Sequence, residues 1–250
     1  MARNIRLLLE YDGTRYHGWQ RQADAATIQQ TLEEAIERLT GAKVSLIGSG
    51  RTDAGVHALG QVTNFRINST IPLKAFHDGL NSLLPRDIAV MEAREVPLDF
   101  HARKSARAKT YEYRILNRPN PSPLNRRYVW WIARSLNLTA MATAGAVLLG
   151  EHDFSAFRAS GSDNHNPVRE VLAAAWREET GGRLTFTITA TGFLRGMVRS
   201  LVGTMVEVGR GKAPPERLAE LLASGARHLA GPTAPAQGLY LVKVFYDIEP

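Results

Sequence analysis

The chain carries, at residues 48–57, the stretch Gly48-Ser-Gly-Arg-Thr-Asp-Ala-Gly-Val-His57, between two apolar runs at residues 44–47 and 62–67. Each run has the length and composition of a short β-strand, so the stretch is predicted to be a loop that connects two strands. Its glycines allow unusual backbone angles and a close approach of the main chain to a ligand. The stretch is therefore the first candidate for a functional loop.

Asp53 is the residue of this loop with the clearest chemical use. Arg51 lies two positions before it, and a neighbouring cation favours the ionised carboxylate, which suits a nucleophile and not a general acid. An isolated Asp-Ala-Gly is also typical of an Asx turn, in which the aspartate bonds its own backbone. From the loop alone, both interpretations stay open.

Strand-like and helix-like periodicities alternate along the rest of the chain. Alternating apolar residues predict strands at residues 5–11, 88–96, 110–116, 184–190 and 239–246. Helical spacing predicts helices at residues 28–39, 73–84, 138–149 and 198–205, and one more from residue 214. Because the pattern starts again past residue 106, we predict a mixed α/β (α+β) fold in two related halves, residues 1–106 and 107–250.

The composition excludes several classes of protein. The chain has 250 residues and no cysteine, so disulfides, Cys-ligated zinc sites and iron–sulfur clusters are excluded. Its longest uncharged stretch of small and apolar residues, 138–150, is shorter than the ~20 residues that a membrane-spanning helix needs. Residues 1–9 lack the apolar run of a secretory signal. We expect a soluble cytoplasmic protein with no membrane segment.

The positive charge of the chain is concentrated in two places. Lys and Arg number 31 against 24 Asp and Glu, a formal net charge of +7. Between residues 103 and 127 Glu112 is the only acid, and between residues 195 and 212 Glu207 is the only acid. Clustered positive charge is typical of nucleic-acid binding, although a solvated basic surface is the alternative.

Two glycine-containing segments match cofactor loops only in part. Asp53 stands where a dinucleotide-binding motif beginning at Gly48 needs a glycine, and Ala213 stands where a phosphate loop ending at Lys212 needs Ser or Thr. The seven histidines show no metal-ligand spacing. We therefore expect no cofactor and no metal, and chemistry carried out by ordinary side chains.

Two pairs of residues in the second half are further candidates. Arg195 and Arg199 lie four residues apart on a predicted helix, and like charges at that spacing cost ~0.2–0.5 kcal/mol unless an anion lies between them. A phosphate or a carboxylate such as Asp53 would remove that cost, and solvent exposure of both arginines is equally consistent. Tyr111 and Tyr113 share one face of a predicted strand, which indicates core packing or stacking on a base.

Six motifs follow one another in register along the chain. The strongest is Gly50-Arg-Thr-Asp-Ala-Gly-Val-His-Ala-Leu-Gly-Gln-Val62. The others are Tyr11-Asp-Gly-Thr14 with Gly18-Trp-Gln-Arg-Gln22, Lys109-Thr-Tyr-Glu-Tyr-Arg-Ile115, His152-Asp-Phe-Ser-Ala-Phe-Arg158, Gly192-Phe-Leu-Arg195 with Met197-Val-Arg199, and Gly238-Leu-Tyr-Leu241. Together they resemble the tRNA pseudouridine synthase A family over nearly the whole chain, the first motif being similar to that family's catalytic loop.

The resemblance implies an enzyme that isomerises uridine to pseudouridine at positions 38, 39 and 40 of the tRNA anticodon stem-loop. It implies that the target base is flipped out of its stack, and that neither cofactor nor metal is used. It also implies a homodimer and the pseudouridine synthase fold. In that fold, two related α/β halves share a mixed, largely antiparallel sheet, with helices packed on it and a central basic cleft.

The same resemblance implies roles for individual residues. Asp53 matches the nucleophile, Tyr111 the ring that stacks on the target uracil and is placed to remove the proton from C5, and Arg199 the arginine that ion-pairs the aspartate. Arg51 is expected to act as a wedge or phosphate contact, and Leu241 to contact the substrate. The other expected RNA contacts are Arg15, Trp19, Gln20, Arg21, Lys104, Lys109, Arg158 and Arg195.

Two other functions are compatible with these residues. One is a non-catalytic RNA-binding or RNA-chaperone protein of the same fold. The other is a glycoside-cleaving hydrolase, in which a carboxylate nucleophile needs a second carboxylate about 5–5.5 Å away. No acid next to Asp53 in sequence obviously offers that second carboxylate.

Overall fold

A computed structural model describes residues 2–159 and 166–247 of the chain. They form two compact units. The first comprises the residues up to Arg107 together with those from Leu241 onward, and the second runs from Ala108 to Tyr240. The sequence-based division kept residues 107–250 together, whereas the structure groups most of the last strand with the first unit.

The two units contain ten strands and five α-helices over the described residues. The strands are β1 (Ala2–Tyr11), β2 (Ile47–Gly48), β3 (His57–Asn68), β4 (Ile88–Val96), β5 (Ala106–Asn117), β6 (Trp130–Ile132), β7 (Gly150–Asp153), β8 (Val168–Glu179), β9 (Arg183–Ala190) and β10 (Leu239–Tyr246). The helices are α1 (Ile28–Thr40), α2 (Leu80–Leu83), α3 (Leu138–Ala146), α4 (Met197–Gly209) and α5 (Arg217–Ser224).

In the first unit the strands lie in the order β4-β1-β3-β10, with β2 paired to β3. Strand β1 is antiparallel to both β3 and β4. Its alternate residues Ile5, Leu7 and Leu9 are completely buried, which is the pattern that predicts a strand with one face toward a core. Strand β3 begins at His57, at the end of the loop that contains Asp53, so the sheet fixes that end of the loop.

Helix α1 contributes the helical part of the core of the first unit. Thr27 caps it, because the Thr27 hydroxyl accepts a hydrogen bond from the Gln30 backbone N–H at 3.3 Å. Ile28, Leu32 and Ile36 lie on one stripe of the helix and are completely buried. The helix ends where Gly41 adopts a left-handed conformation.

In the second unit the strands lie in the order β5-β9-β8-β7, and β6 runs parallel to β5. The β5–β9, β8–β9 and β7–β8 pairs are antiparallel. Tyr111 and Tyr113 on β5 lie opposite Ile188 and Phe186 on β9, and all four side chains are buried. Helix α4 is buried along nearly its whole length. The predicted α/β (α+β) class with largely antiparallel pairing is confirmed.

Three elements differ from the prediction. Strand β8 was not predicted, because it presents exposed residues on both faces and a run of three alanines in place of alternating apolar residues. The apolar run at residues 44–47 pairs with β3 only from Ile47 onward. The helix predicted at 73–84 is a π-helical turn, Ala75–Gly79, followed by the short helix α2. None of the helices in the described ranges has the length and apolar character needed to cross a membrane.

Candidate active site

The Asp53 loop, defined as residues 49–57, is bonded on both sides of Asp53 to the segment 11–19 of the same unit. Before Asp53, the Thr52 carbonyl accepts from the Trp19 backbone N–H at 3.1 Å. The Thr52 hydroxyl shares a 2.8 Å hydrogen bond with the hydroxyl of Tyr11. After Asp53, the Gly55 N–H donates to the Tyr16 carbonyl at 3.2 Å. Both sides of the short loop are thus fixed.

Tyr11 makes the bond to Thr52 from inside the core. Only 3% of Tyr11 is exposed, and burial raises the pKa of its hydroxyl to about 12. The group therefore stays a neutral hydroxyl at every pH at which the protein would work. A neutral partner of this kind holds the loop without adding a charge beside Asp53.

His57 fixes the C-terminal end of the Asp53 loop. Its side chain is 2% exposed, and its Nδ1 accepts a hydrogen bond from the Gly13 backbone N–H at 3.2 Å. The same Nδ1 lies 3.1 Å from Oδ1 of Asp12. An apolar residue at position 57 would leave the buried Gly13 N–H without this acceptor, at a cost of ~1–3 kcal/mol.

A buried pair of polar side chains fixes the N-terminal end of the Asp53 loop. The Ser49 hydroxyl donates to Oε1 of Gln61 at 2.6 Å, and the Gln61 side-chain amide donates to the Gly50 carbonyl at 2.9 Å. Both Ser49 and Gln61 are completely buried. Gln61 lies on β3, so the sheet supports this end of the loop as well as the end at His57.

Close backbone packing at Gly18 brings segment 11–19 against the Asp53 loop. A side chain on Gly18 would place its Cβ 2.4 Å from the Thr52 carbonyl oxygen, and Gly18 has a φ of +88°, which favours glycine. The neighbouring Trp19 ring fills the space beside Gly48, where a Cβ would lie 2.5 Å from the indole nitrogen. Only 3% of Trp19 is exposed, so the expectation that Trp19 contacts RNA does not fit its burial.

Asp53 itself lies at the middle of the braced loop. Its backbone carbonyl accepts from the Val56 N–H at 3.1 Å, so this turn is closed through the main chain. The Asp53 side chain is half-buried, and Arg51 is exposed. A carboxylate held by a rigid backbone and still reachable from solvent suits attack on a bound substrate.

Tyr111 is placed in the core of the second unit by β5. The residue is 7% exposed, and its ring meets Phe193 edge-to-face, with 4.9 Å between ring centroids. Phe193 belongs to the Gly192-Phe-Leu-Arg195 motif that precedes α4. The motif at residues 109–115, which contains Tyr111, and the motif at residues 192–195 are therefore in contact through this aromatic pair.

Arg199 lies on the first turn of α4 and is anchored by the segment that precedes β10. Its Nε donates to the Ala234 carbonyl at 2.8 Å, and its own carbonyl accepts from the Ala234 N–H at 3.0 Å. The Tyr113 hydroxyl donates to the next carbonyl, that of Pro235, at 2.7 Å. Burial raises the pKa of Tyr113, while the positive charge of Arg199 acts in the opposite direction. The guanidinium is thus held by its Nε.

The remaining predicted site residues fall into three environments. Arg15, Gln20, Arg21, Lys104 and Arg195 are exposed, and Lys109 and Arg158 are half-buried. Arg21 also bonds the buried carboxylate of Glu33 at 3.0 Å. Leu241 is completely buried in the first unit, so direct contact with a substrate does not fit its position there.

Two residues with contacts of interest in the structure, His57 and Arg169, were not predicted from the sequence. His57 lies inside the strongest motif, but nothing in the sequence indicates that it bonds Gly13. Arg169, discussed below, lies on the unpredicted strand β8. Its only sequence signal is that it is an arginine in a part of the chain without a recognised motif.

Comparison with known proteins places the chain in a family. A family model described as tRNA pseudouridine synthase matches residues 8–103 and 144–247, which include Asp53 and Arg199 and leave Tyr111 between them. The tRNA pseudouridine synthase A of Myxococcus xanthus is 50% identical over 246 residues, covering 98% of this chain and 93% of that protein. The tRNA pseudouridine synthase A of Acetivibrio thermocellus is 49% identical over 244 residues, covering 98% and 100%. The chain therefore belongs to the tRNA pseudouridine synthase family.

Proposed function

We propose that this protein isomerises uridine to pseudouridine at positions 38, 39 and 40 of the tRNA anticodon stem-loop, with Asp53 as the nucleophile. Membership of the tRNA pseudouridine synthase family supports the reaction and the substrate class. The observation that carries the assignment to Asp53 is the bracing of its loop by hydrogen bonds at Thr52, Gly55 and His57. A carboxylate that must meet one carbon atom of a bound nucleotide needs such a fixed backbone.

The reaction exchanges one bond to the sugar for another. In one route a carboxylate oxygen of Asp53 bonds to C1′ while the electrons of the N1–C1′ bond leave with the uracil. The uracil turns, C5 bonds to C1′, and the carboxylate leaves. In the other route the carboxylate adds to C6 of the uracil before the base is detached and reattached, and the bond between C6 and the Asp53 oxygen then breaks as the C5–C6 double bond re-forms. In both routes C5 loses a proton and N1 gains one, so the composition of the nucleotide is unchanged.

The base must leave the helical stack before either route can begin. Flipping costs a few kcal/mol, which contacts to the extruded nucleotide have to offset. Arg51 is proposed to hold the flipped nucleotide, as a wedge or as a phosphate contact, and its exposure within the Asp53 loop supports that role. Exclusion of water from the pocket would protect the intermediate from hydrolysis.

Tyr111 and Arg199 complete the proposed machinery. Tyr111 is proposed to stack on the uracil and to take the proton from C5, and Arg199 to keep the nucleophile ionised. Their roles toward Asp53 come from the family motifs. The edge-to-face contact of Tyr111 with Phe193 and the bond from Arg199 to Ala234 support a fixed position for each.

The proposed RNA surface consists of one neutral polar side chain, Gln20, and several positively charged side chains that solvent can reach. Exposure supports Arg15, Gln20, Arg21, Lys104 and Arg195 as contacts, and Lys109 and Arg158 join them as half-buried members. Trp19 and Leu241 are assigned to packing instead. A homodimer in the cytoplasm remains our prediction for the assembly and its location.

His57 provides a test of whether bracing of the Asp53 loop matters for turnover. We expect His57→Leu to lower kcat about tenfold or more. The buried Gly13 N–H loses its acceptor, which destabilises the native position of the Asp53 loop by ~1–3 kcal/mol, and a cost of that size in the transition state lowers the rate by this amount or more. The KM for tRNA should change by less than about threefold. His57→Asn is the matched control, since its amide oxygen can take the place of Nδ1. Equal kcat values for His57→Leu and the wild type would contradict the bracing role.

The assignment of the modified positions is tested by mapping. Three transcripts of one tRNA would each carry a single uridine among positions 38, 39 and 40, and a fourth would carry none there. After incubation with the wild-type protein, carbodiimide labelling and primer extension locate pseudouridine. We expect modification at 38, 39 and 40 and none in the fourth transcript. Pseudouridine found only outside these positions would overturn the anticodon-arm assignment.

A further inference from the structure

Arg169 lies near the start of β8 in the second unit and is held by main-chain carbonyls. Its Nη1 donates to the Asn166 carbonyl at 2.9 Å and to the carbonyl of Val168. On the neighbouring strand β7 it lies opposite His152. Its side chain is half-buried.

The groups to which Arg169 donates hydrogen bonds are neutral. Across the described ranges 2–159 and 166–247, no carboxylate forms an ion pair with it, and its hydrogen bonds go to neutral carbonyls. Burial lowers the pKa of the Arg169 guanidinium. A half-buried cation that is not ion-paired is costly, and an anion bound from outside offsets that cost.

Two further arginines lie on backbone segments that adjoin Arg169. At the Gly192-Phe-Leu-Arg195 motif, a Cβ on Gly192 would lie 3.1 Å from Nε of Arg169, so the guanidinium stem packs directly on this backbone. The same stretch continues to Arg195, whose carbonyl accepts from the Ala159 N–H at 2.8 Å. Ala159 follows Arg158 in the chain, so three arginines belong to adjoining backbone segments.

We propose that Arg169 is the centre of a phosphate-binding site that takes a backbone phosphate of the tRNA, with Arg195 beside it. The inference rests on the proposed function in that the ligand is RNA. A guanidinium offers parallel N–H donors to two phosphate oxygens, and partial burial strengthens such a bond relative to one in water. Nη1 holds the group on the carbonyls of Asn166 and Val168, which orients its other donors.

The alternative is that Arg169 only ties the start of β8 to the preceding backbone. That role predicts a loss of stability on substitution and no change in how tRNA binding responds to salt. A phosphate contact predicts that substitution of Arg169 weakens the response of tRNA binding to salt. Each neutralised phosphate releases counterions and adds to the slope of log K against log salt, so loss of one contact reduces that slope.

The test compares Arg169→Gln with Arg177→Gln, an exposed arginine on the same strand. The dissociation constant for an unmodified tRNA transcript is measured over a series of KCl concentrations, and folding is checked by thermal melting. We expect Arg169→Gln to weaken binding several-fold and to reduce the salt slope by ~1. Arg177→Gln should retain the wild-type affinity and slope.

A wild-type affinity and slope for folded Arg169→Gln would overturn the proposal. If Arg169→Gln does not fold, the same binding measurement on Arg169→Lys tests the proposal. Lys keeps the charge and therefore the slope, but it loses the planar fork, so binding should weaken several-fold. A wild-type affinity for Arg169→Lys would then count against the phosphate site. Failure of the proposed function is a separate result, namely tight wild-type binding of tRNA without isomerisation.

Discussion

Replacing Asp53 by Asn is expected to abolish turnover, with a loss of at least about 10⁴-fold in the rate of tritium release from C5-labelled tRNA. The asparagine side chain has nearly the same size as aspartate, but its neutral amide is a far weaker nucleophile than a carboxylate. The loop itself should keep its shape, because hydrogen bonds at Thr52, Gly55 and His57 hold its backbone on both sides of position 53. Affinity for tRNA should therefore stay within about threefold of the wild type.

Asp24→Asn is the matched control for this experiment. Asp24 is an exposed acid in the same unit, outside the Asp53 loop, so the variant removes the same charge without touching the proposed nucleophile. It should release tritium at the wild-type rate. Substantial turnover by the Asp53→Asn protein would remove Asp53 from the role of nucleophile, whatever the control shows.

Arg199→Lys should produce the second large effect, a fall in kcat of about 10²-fold or more. Lysine retains the positive charge but has no Nε–H to donate to the Ala234 carbonyl, the bond that orients the guanidinium at 2.8 Å. It also lacks the planar fork that meets a carboxylate with two hydrogen bonds. The KM for tRNA should change far less than kcat, because the loss concerns the reacting groups.

The control for Arg199→Lys is Arg177→Lys on the exposed part of β8. It makes the same substitution in the same unit and should leave both kinetic constants unchanged. If Arg199→Lys kept kcat within threefold of the wild type, the charge alone would suffice, and the bond to Ala234 would have no catalytic purpose.

Much of the fold follows from local periodicity because these elements bury one regular face. The last strand, Leu239–Tyr246, has the bounds that its alternating residues predict, and the fourth, Ile88–Val96, agrees equally well. Strand β8 could not be predicted in this way, since both of its faces are exposed along much of its length. Hydrophobic patterns describe elements that face a core, and β8 does so only in part.

The sequence motifs predict which residues form the candidate site, but they do not indicate which contacts support those residues. Asp53, Tyr111 and Arg199 were proposed from residue type and motif, and their roles remain predictions. The bonds that brace the Asp53 loop involve Tyr11, Trp19 and Gln61, whose contacts depend on how distant segments fold together. Trp19 illustrates the limit, because an aromatic residue in a polar loop is typical of a base-stacking platform but is buried here.

The most direct test of the central claim is incubation of the wild-type protein with tRNA labelled with tritium at C5 of its uridines. Isomerisation in the anticodon arm predicts release of tritium to water in proportion to the uridines at positions 38–40, with no free uracil formed. Binding of the tRNA without any release would contradict the claim and favour an RNA-binding protein without catalysis. Free uracil among the products would contradict it in favour of a hydrolase.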